Sequence, residues 1–355
     1  MRNNTDYINK QRSNDNTAPF ITIAIPSYNY SSYLKRAFEM IKQQEFQDFE
    51  ILYCDDCSDD DSVEVIKEII TENPDMQIRM IENPENLGIL KTKTRLMYES
   101  TGKYIMFCDA DDYMSEDCLK KLSNVAVKTN ADRIVSEVYD IRVLKNGKTK
   151  ILQKQNIPKI TSKWLWNLNH GCLYKREVFI SNNIMLDFVP DDVCLTLYFS
   201  RHSKKTAWIR RPLYYWCVHD DSAGRKAQPR DKQKLLSEFQ NAVIKIDQFY
   251  NNMDYDTSQQ LELLIIKLYY LNIFHSLRTF SLNEKLETYY ELKRILKQYH
   301  KNYLENVYIR HPSKMPLRNY AKYIIIACAI VEKVHFMKAF LAGYHLLNNF
   351  VYFDQ

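Results

Sequence analysis

Between positions 21 and 109 two rhythms alternate along the chain. Short, mainly apolar runs at 21–25, 49–54, 78–81 and 104–108 are separated by longer stretches in which apolar residues recur every three or four positions, as Tyr33, Leu34, Ala37, Phe38 and Ile41 do. The runs predict strands, and the stretches predict helices near 31–44, 62–71 and 89–100. Such alternation predicts an α/β domain with a mainly parallel, Rossmann-like sheet flanked by helices. In that architecture ligands bind beyond the carboxyl ends of the strands.

Further on the pattern becomes mixed. A helix from near Ser115 to 129, a strand at 131–139, and a hairpin of 141–144 and 149–152 around Lys145-Asn-Gly-Lys148 are expected. Helices follow at 176–182 and 191–201, then strands at 206–209 and 213–218. From Arg230 onward the periodicity is helical, for example over 232–250 and 258–277. Three parts are expected: a polar, Asn-rich leader at 1–18 without order, an α/β domain over 19–225, and a helical C-terminal region over 226–355, with the boundary in Lys226-Ala-Gln-Pro-Arg230.

At 355 residues the chain is long enough for one large domain with an appendage. A net charge of only +5, with no basic run interleaved with aromatics, argues against nucleic acid as a partner, while suiting an anionic sugar nucleotide or a lipid headgroup. The eight cysteines, several inside apolar strands and with no signal peptide recognisable ahead of them, read as reduced thiols of a cytoplasmic protein. Cys54-x-x-Cys57 is followed by no second pair, which disfavours a zinc site. No apolar segment reaches the roughly 18–20 residues of a membrane-spanning helix. With only six glycines the chain has no glycine-rich phosphate loop, so metal and side chains must hold any phosphate.

The run Tyr104-Ile-Met-Phe-Cys108 stops in three carboxylates, Asp109, Asp111 and Asp112. Crowded carboxylates repel unless a cation lies between them, and hard oxygen ligands suit Mg²⁺ or Mn²⁺. A solvated acidic loop capping the next helix is the plainer alternative. Tyr28, after Pro26-Ser27, could stack on a base or cover the sheet end. Asp56 could accept from a base N–H, or Asp55 or Asp56 could cap the helix after Ser58.

Four segments read together sharpen this. Ile25-Pro-Ser-Tyr-Asn29, Glu50 to Asp60 (EILYCDDCSDD), Asn86-Leu-Gly88 with Thr101-Gly-Lys-Tyr-Ile105, and Cys108-Asp-Ala-Asp-Asp112 resemble, in order and spacing, the family 2 glycosyltransferases of the GT-A fold. The resemblance is dense over 20–115, thinner to about 225, and absent beyond. It implies an inverting, metal-dependent transferase, hexosyl or acetylhexosaminyl, of the bacterial surface-glycan type. The acceptor would be a growing glycan or lipid-linked glycan of a capsule or lipopolysaccharide.

The same resemblance implies roles for residues. Pro26, Tyr28 and Asp56 would hold the base, with a UDP-sugar as donor. Lys93 takes the place of a family Arg at the phosphates, although Leu96 and Cys57 stand where the family commonly has Gly. Asp111 would bind Mn²⁺ or Mg²⁺, with Asp109 on the ribose or the metal. Of the pair Asp191-Asp192, Asp192 would be the catalytic base and Asp191 would position the acceptor; a helix cap after Pro190 is the alternative. His219, in a late Tyr-x-x-x-His-x-x-Ser segment, would complete the metal site or touch the diphosphate. Trp164, Trp166 and Trp216 could form an acceptor platform or pack in the core. The departures at Lys93, Leu96 and Cys57 keep a second function open, a nucleotide-sugar-binding protein without transfer.

Residues 314–355 combine Lys314, Arg318, Lys322, Lys333 and Lys338 with an apolar stretch at 323–331. A helix lying at an anionic bilayer has this composition, giving peripheral contact with the inner face of the plasma membrane, and so does a core helix.

Overall fold

The computed structural model describes residues 18–143, 149–155, 169–218, 231–249, 253–273, 280–315, 317 and 319–351. In chain order the first half runs β1 (Ile21–Ser27), α1 (Ser31–Lys42), β2 (Phe49–Asp55), α2 (Ser62–Glu72), β3 (Ile78–Glu82), α3 (Ile89–Glu99), β4 (Tyr104–Phe107), β5 (Tyr113–Met114), α4 (Cys118–Thr129) and β6 (Arg133–Val143). Then come β7 (Thr149–Gln155), β8 (Cys172–Lys175), α5 (Arg176–Ser181), α6 (Asp191–His202) and β9 (Thr206–Cys217). The helical region comprises α7 (Lys232–Asp247), α8 (Tyr255–Leu271), α9 (Leu282–Tyr299), the single turn α10 (Val307–Arg310), α11 (Asn319–Lys333) and α12 (Met337–Val351).

The described strands form one nine-stranded sheet in the order β3-β2-β1-β4-β8-β6-β9-β5, with β7 paired to β6. From β3 to β4 it is parallel, as the strand-helix alternation predicts. Beyond β4 it is mixed: β8 runs antiparallel to both β4 and β6, while β9 is parallel to β6.

Strand periodicity divides the core in two. Ile21, Ile23, Ile25, Ile51, Tyr53, Tyr104 and Met106 face Leu34, Phe38, Ile66 and Leu119 of α1, α2 and α4. Their neighbours Ala24, Leu52, Cys54, Ile105 and Phe107 face the opposite way, into a second core with α3, α5, α6 and the helical region. Successive side chains alternate across a strand, so continuous apolar runs are what a sheet covered on both faces requires.

Three local expectations change. The segment read as two strands at 206–209 and 213–218 is the single β9. The polar interruption Arg210-Arg211-Pro212 sits where its register with β6 slips between Ser136 and Val138, and an irregular position tolerates a residue lacking an N–H. α4 starts at Cys118 rather than Ser115, because Tyr113-Met114 first pairs with β9 as β5. β8 was not expected: its four residues, three of them buried, lie between β4 and β6 and are too short to show a period. The hairpin strands pair as expected at Val143 and Thr149, while its turn lies outside the described residues, as do the leader through 17, Trp164, Trp166, Arg318 and His219.

Candidate active site

The ends of β1, β2 and β4 lie side by side. The backbone N–H of Asp56 donates to Ser27 O at 2.8 Å, and that of Cys108 to Ala24 O at 3.0 Å. Asn29, in the left-handed region at φ 57°, joins the first two ends: its N–H donates to Ser58 Oγ, and its Oδ1 accepts from the Asp59 N–H. Tyr28 at this junction is 43% exposed, so its ring is accessible for stacking, and Pro26 in β1 is half-buried.

The two carboxylates after β2 have separate tasks. Asp55 accepts from the Ser58 N–H and Oγ, which closes the turn. Asp56 reaches the segment Asn86-Leu-Gly88. It accepts from Asn83 Nδ2 at 2.7 Å, the Leu87 N–H at 2.9 Å and the Gly88 N–H at 2.8 Å. A carboxylate has about four acceptor sites, so three of those on the buried Asp56 are occupied. Cys57, at the family's Gly position, has φ 61°, the conformation that explains why Gly is common there.

The acidic loop after β4 is clamped from two sides. Arg36 of α1 donates to Ala110 O at 3.2 Å, and its guanidinium stands 3.9 Å from the Tyr113 ring centroid. From β9, Tyr214 OH donates to Asp112 Oδ2 at 2.8 Å and the Cys217 N–H to Asp112 Oδ1 at 2.7 Å. Asp112 therefore ties the acidic loop to β9. Burial, then the charges of Asp109 and Asp111, raise its pKa well above the ordinary carboxylate range. Burial and the same three aspartates, Asp111 foremost among them, raise the Tyr30 hydroxyl. Asp111 is itself buried beside them.

His170 completes this cluster, and no sequence signal marked it beyond its place in an aromatic stretch. Its Nδ1 lies 3.4 Å from Asp112 Oδ2 and 3.9 Å from Asp109 Oδ2, while its ring stacks on Trp216 at 5.9 Å. Gly171 allows this placement. Its φ is +65°, and a Cβ there would collide with Ser136 Oγ and Tyr214 Cβ. Burial lowers the His170 pKa despite the nearby carboxylates, which keeps the imidazole neutral and its nitrogen free to ligate. Asp109, Asp112 and His170 each offer one ligand atom, all within 4.8 Å of one another. Oxygen donors with one imidazole fit Mn²⁺ or Mg²⁺, the ions expected from the sequence.

Lys93 brings the remaining motif to the same place. It is buried on α3, and its Nζ contacts Asp191 Oδ2 at 2.6 Å across 98 positions of sequence. Burial alone would lower the Lys93 pKa; Asp191, with Asp109 and Asp192, more than offsets it and holds the ammonium charged. Burial works to raise the pKa of Asp191, but the charge and hydrogen bond of Lys93, with smaller help from His170, together hold it below its usual value. Its neighbour Asp192, also in the first turn of α6, moves the other way. Burial and then the Asp191 charge push it up to about 6, with Lys267 of α8 acting against them. One carboxylate locked as an ion and another poised near neutrality is an arrangement suited to proton transfer. Arg95, one turn before the end of α3, donates from one nitrogen to Glu82 O and Asn83 Oδ1.

Comparison with known proteins agrees with this architecture. The family described as Glycosyl transferase family 2 matches residues 22–181. The chain is 32% identical to the hyaluronan synthase of Pasteurella multocida over 130 residues, 34% of this chain and 13% of that one. It is also 32% identical to the glycosyltransferase GlyA of Streptococcus pneumoniae over 225 residues, 58% of this chain and 31% of that one. It thus spans well under half the length of these relatives. Among solved structures, residues 1–349 of TarS from S. aureus in complex with UDP-GlcNAc superimpose with a TM-score of 0.65 at 16% identity, covering 86% of this chain and 88% of that one. At that identity the likeness establishes the shared fold: a mixed α/β sheet of GT-A type followed by a helical region.

Proposed function

We propose, from the premise that residues 22–181 belong to glycosyl transferase family 2, that this chain is an inverting transferase moving a sugar from a nucleotide donor to a hydroxyl of a growing surface glycan. The observation that carries the reading is the 2.6 Å contact between Lys93 and Asp191, which ties the late acidic pair to α3, where Lys93 also feels the charge of Asp109. Base, diphosphate and acceptor sites then adjoin. The donor is a UDP-sugar: Tyr28 offers a stacking face and Asp56 one remaining acceptor site for uracil. TarS, of the same fold, is solved with UDP-GlcNAc.

In this reading the acceptor oxygen attacks the anomeric carbon from the face opposite the diphosphate. Its proton passes to Asp192, the new C–O bond forms, and the bond to the diphosphate breaks. Lys93 contributes positive charge beside Asp109 and fixes Asp191, which orients the acceptor. Asp109 and Asp111, with His170 in reach, would hold Mn²⁺ or Mg²⁺; Asp112 is engaged by β9. Such an ion supplies Lewis-acid neutralisation of the charge gathered by the leaving diphosphate. The chain would act on the cytoplasmic side, at a glycan or lipid-linked glycan. No described helix is long and apolar enough to cross a membrane, so contact with the bilayer would be peripheral.

Calorimetric titration with UDP checks the donor site. Affinity should require Mn²⁺ or Mg²⁺ and be lost with EDTA, and Asp111→Asn should remove the metal dependence with most of the affinity. If Asp111→Asn is silent while His170→Gln abolishes the dependence, the ion belongs to the cluster of Asp109, Asp112 and His170. If UDP binds equally well without metal, the acidic loop is only structural.

A further inference from the structure

Two faces of α11 are apolar, and the fold covers one. Ile325, Cys328, Ala329 and Glu332, at i, i+3, i+4 and i+7, are buried against the helical core. On the opposite side Tyr323, Ala327 and Ile330, at i, i+4 and i+7, are exposed. Val334 and Phe336 continue the patch through the turn into α12. Exposure is 65% at Tyr323, 57% at Ile330, 55% at Val334 and 65% at Phe336. This is an ordered surface: the Val334 N–H donates to Ile330 O at 3.1 Å and the Phe336 N–H to Val331 O at 2.9 Å.

Charge around the patch is mainly positive. Lys333 and Lys338 are exposed beside it and Lys322 is half-buried at its start. Lys333 and Arg310 share Glu305, at 3.4 and 3.9 Å, so that trio stays net positive. Lys338 lies 5.7 Å from the ring centroid of Tyr290, and the exposed face of α9 continues from there through Arg294 and Lys297. Glu332 is the only acid between 319 and 338. It is buried, with its charge met by Lys293 at 2.9 Å. Large apolar side chains rimmed by cations, with no acid of their own element in solvent, complement a surface that is apolar beneath and anionic above.

We propose that this face of α11 and the following turn lies on an anionic lipid surface. Tyr323, Ile330, Val334 and Phe336 then enter the boundary between headgroups and acyl chains, while Lys322, Lys333 and Lys338 meet the phosphates. The proposal gives the peripheral contact of the transferase reading a defined surface, and rests on that reading only for its purpose, presenting the site to an acceptor at the bilayer.

Co-sedimentation of the full chain with vesicles of phosphatidylcholine, alone or mixed with phosphatidylglycerol, tests it beside a UDP titration of every variant. The chain should bind the anionic vesicles and be released by salt. Lys322→Gln with Lys338→Gln should weaken binding about 30-fold, about fivefold per lysine. Ile330→Ser with Phe336→Ser should weaken it at least about tenfold. UDP affinity and the unfolding midpoint should stay unchanged in both. No sedimentation of the wild type, or equal binding to neutral vesicles and by both variants, overturns the proposal. So does a lipid-free dimer abolished by Ile330→Ser with Phe336→Ser, which would assign the face to a second copy of the chain. Vesicle binding without UDP binding would overturn the transferase reading and leave this surface standing.

Discussion

Asp192→Asn should lower sugar transfer by at least about 10²-fold while leaving UDP affinity within about threefold. The amide keeps the shape of the carboxylate and accepts the hydrogen bond that the Val193 N–H gives to Asp192 Oδ1, but it takes no proton at neutral pH. Donor binding involves no deprotonation, so it should survive. The pH profile separates a base from a structural group. With Asp192 pushed up to about 6, wild-type kcat/KM should fall as pH drops below that value, because the protonated form cannot act. The residual activity of the variant should lack that limb. Asp191→Asn should act differently, weakening the contact with Lys93 and so raising KM as well. Transfer is assayed on a glycan acceptor, or as slow donor hydrolysis, beside UDP titration. Wild-type transfer by Asp192→Asn would place the base elsewhere. A wild type that binds UDP-sugar yet transfers to no glycan would favour the binding-protein function.

The other large effect belongs to the helical region. Glu332 of α11 accepts on Oε1 from Tyr269 at 3.1 Å, Tyr289 at 2.9 Å and Lys293 at 2.9 Å, and on Oε2 from Tyr270 at 2.8 Å. One carboxylate thus joins α8, α9 and α11. Glu332→Ala strips four donors of their acceptor and leaves the Lys293 charge unanswered, so urea unfolding should show a loss of about 3–5 kcal/mol. A loss below about 1 kcal/mol would mean that the tyrosines find other partners. Burial works to raise the Glu332 pKa, but Lys293 and the tyrosine hydroxyls prevail and hold it below its ordinary value of 4.5. A group with a depressed folded-state pKa stabilises fully above its unfolded value and loses that contribution as pH falls through the folded one. The stability gap between wild type and Glu332→Gln should therefore be constant near neutrality and narrow below pH 4.5.

The residues of β1, β2 and β4, mostly apolar because both faces are covered, and those of α1 to α3, apolar at every third or fourth, announce their elements. A chain's choice between strand and helix depends on neighbours a few residues away, so it leaves a local period. The same locality made Tyr28, Asp56 and the carboxylates 109, 111 and 112 legible as groups at strand ends. Pairing across the sheet leaves no such trace. His170 joins Asp109 and Asp112 only because β8 inserts between β4 and β6 and Gly171 turns the chain beside Tyr214. Lys93 meets Asp191, and Glu332 collects tyrosines from two other helices, across tens of residues of intervening chain. The energy of those contacts comes from burying charges and hydroxyls together, which no periodicity of either partner encodes. By itself the sequence determined which elements form and which strand ends carry carboxylates. Tertiary packing alone decided which distant carboxylate is locked by a lysine, which is left poised to take a proton, and which face of α11 stays open to its surroundings.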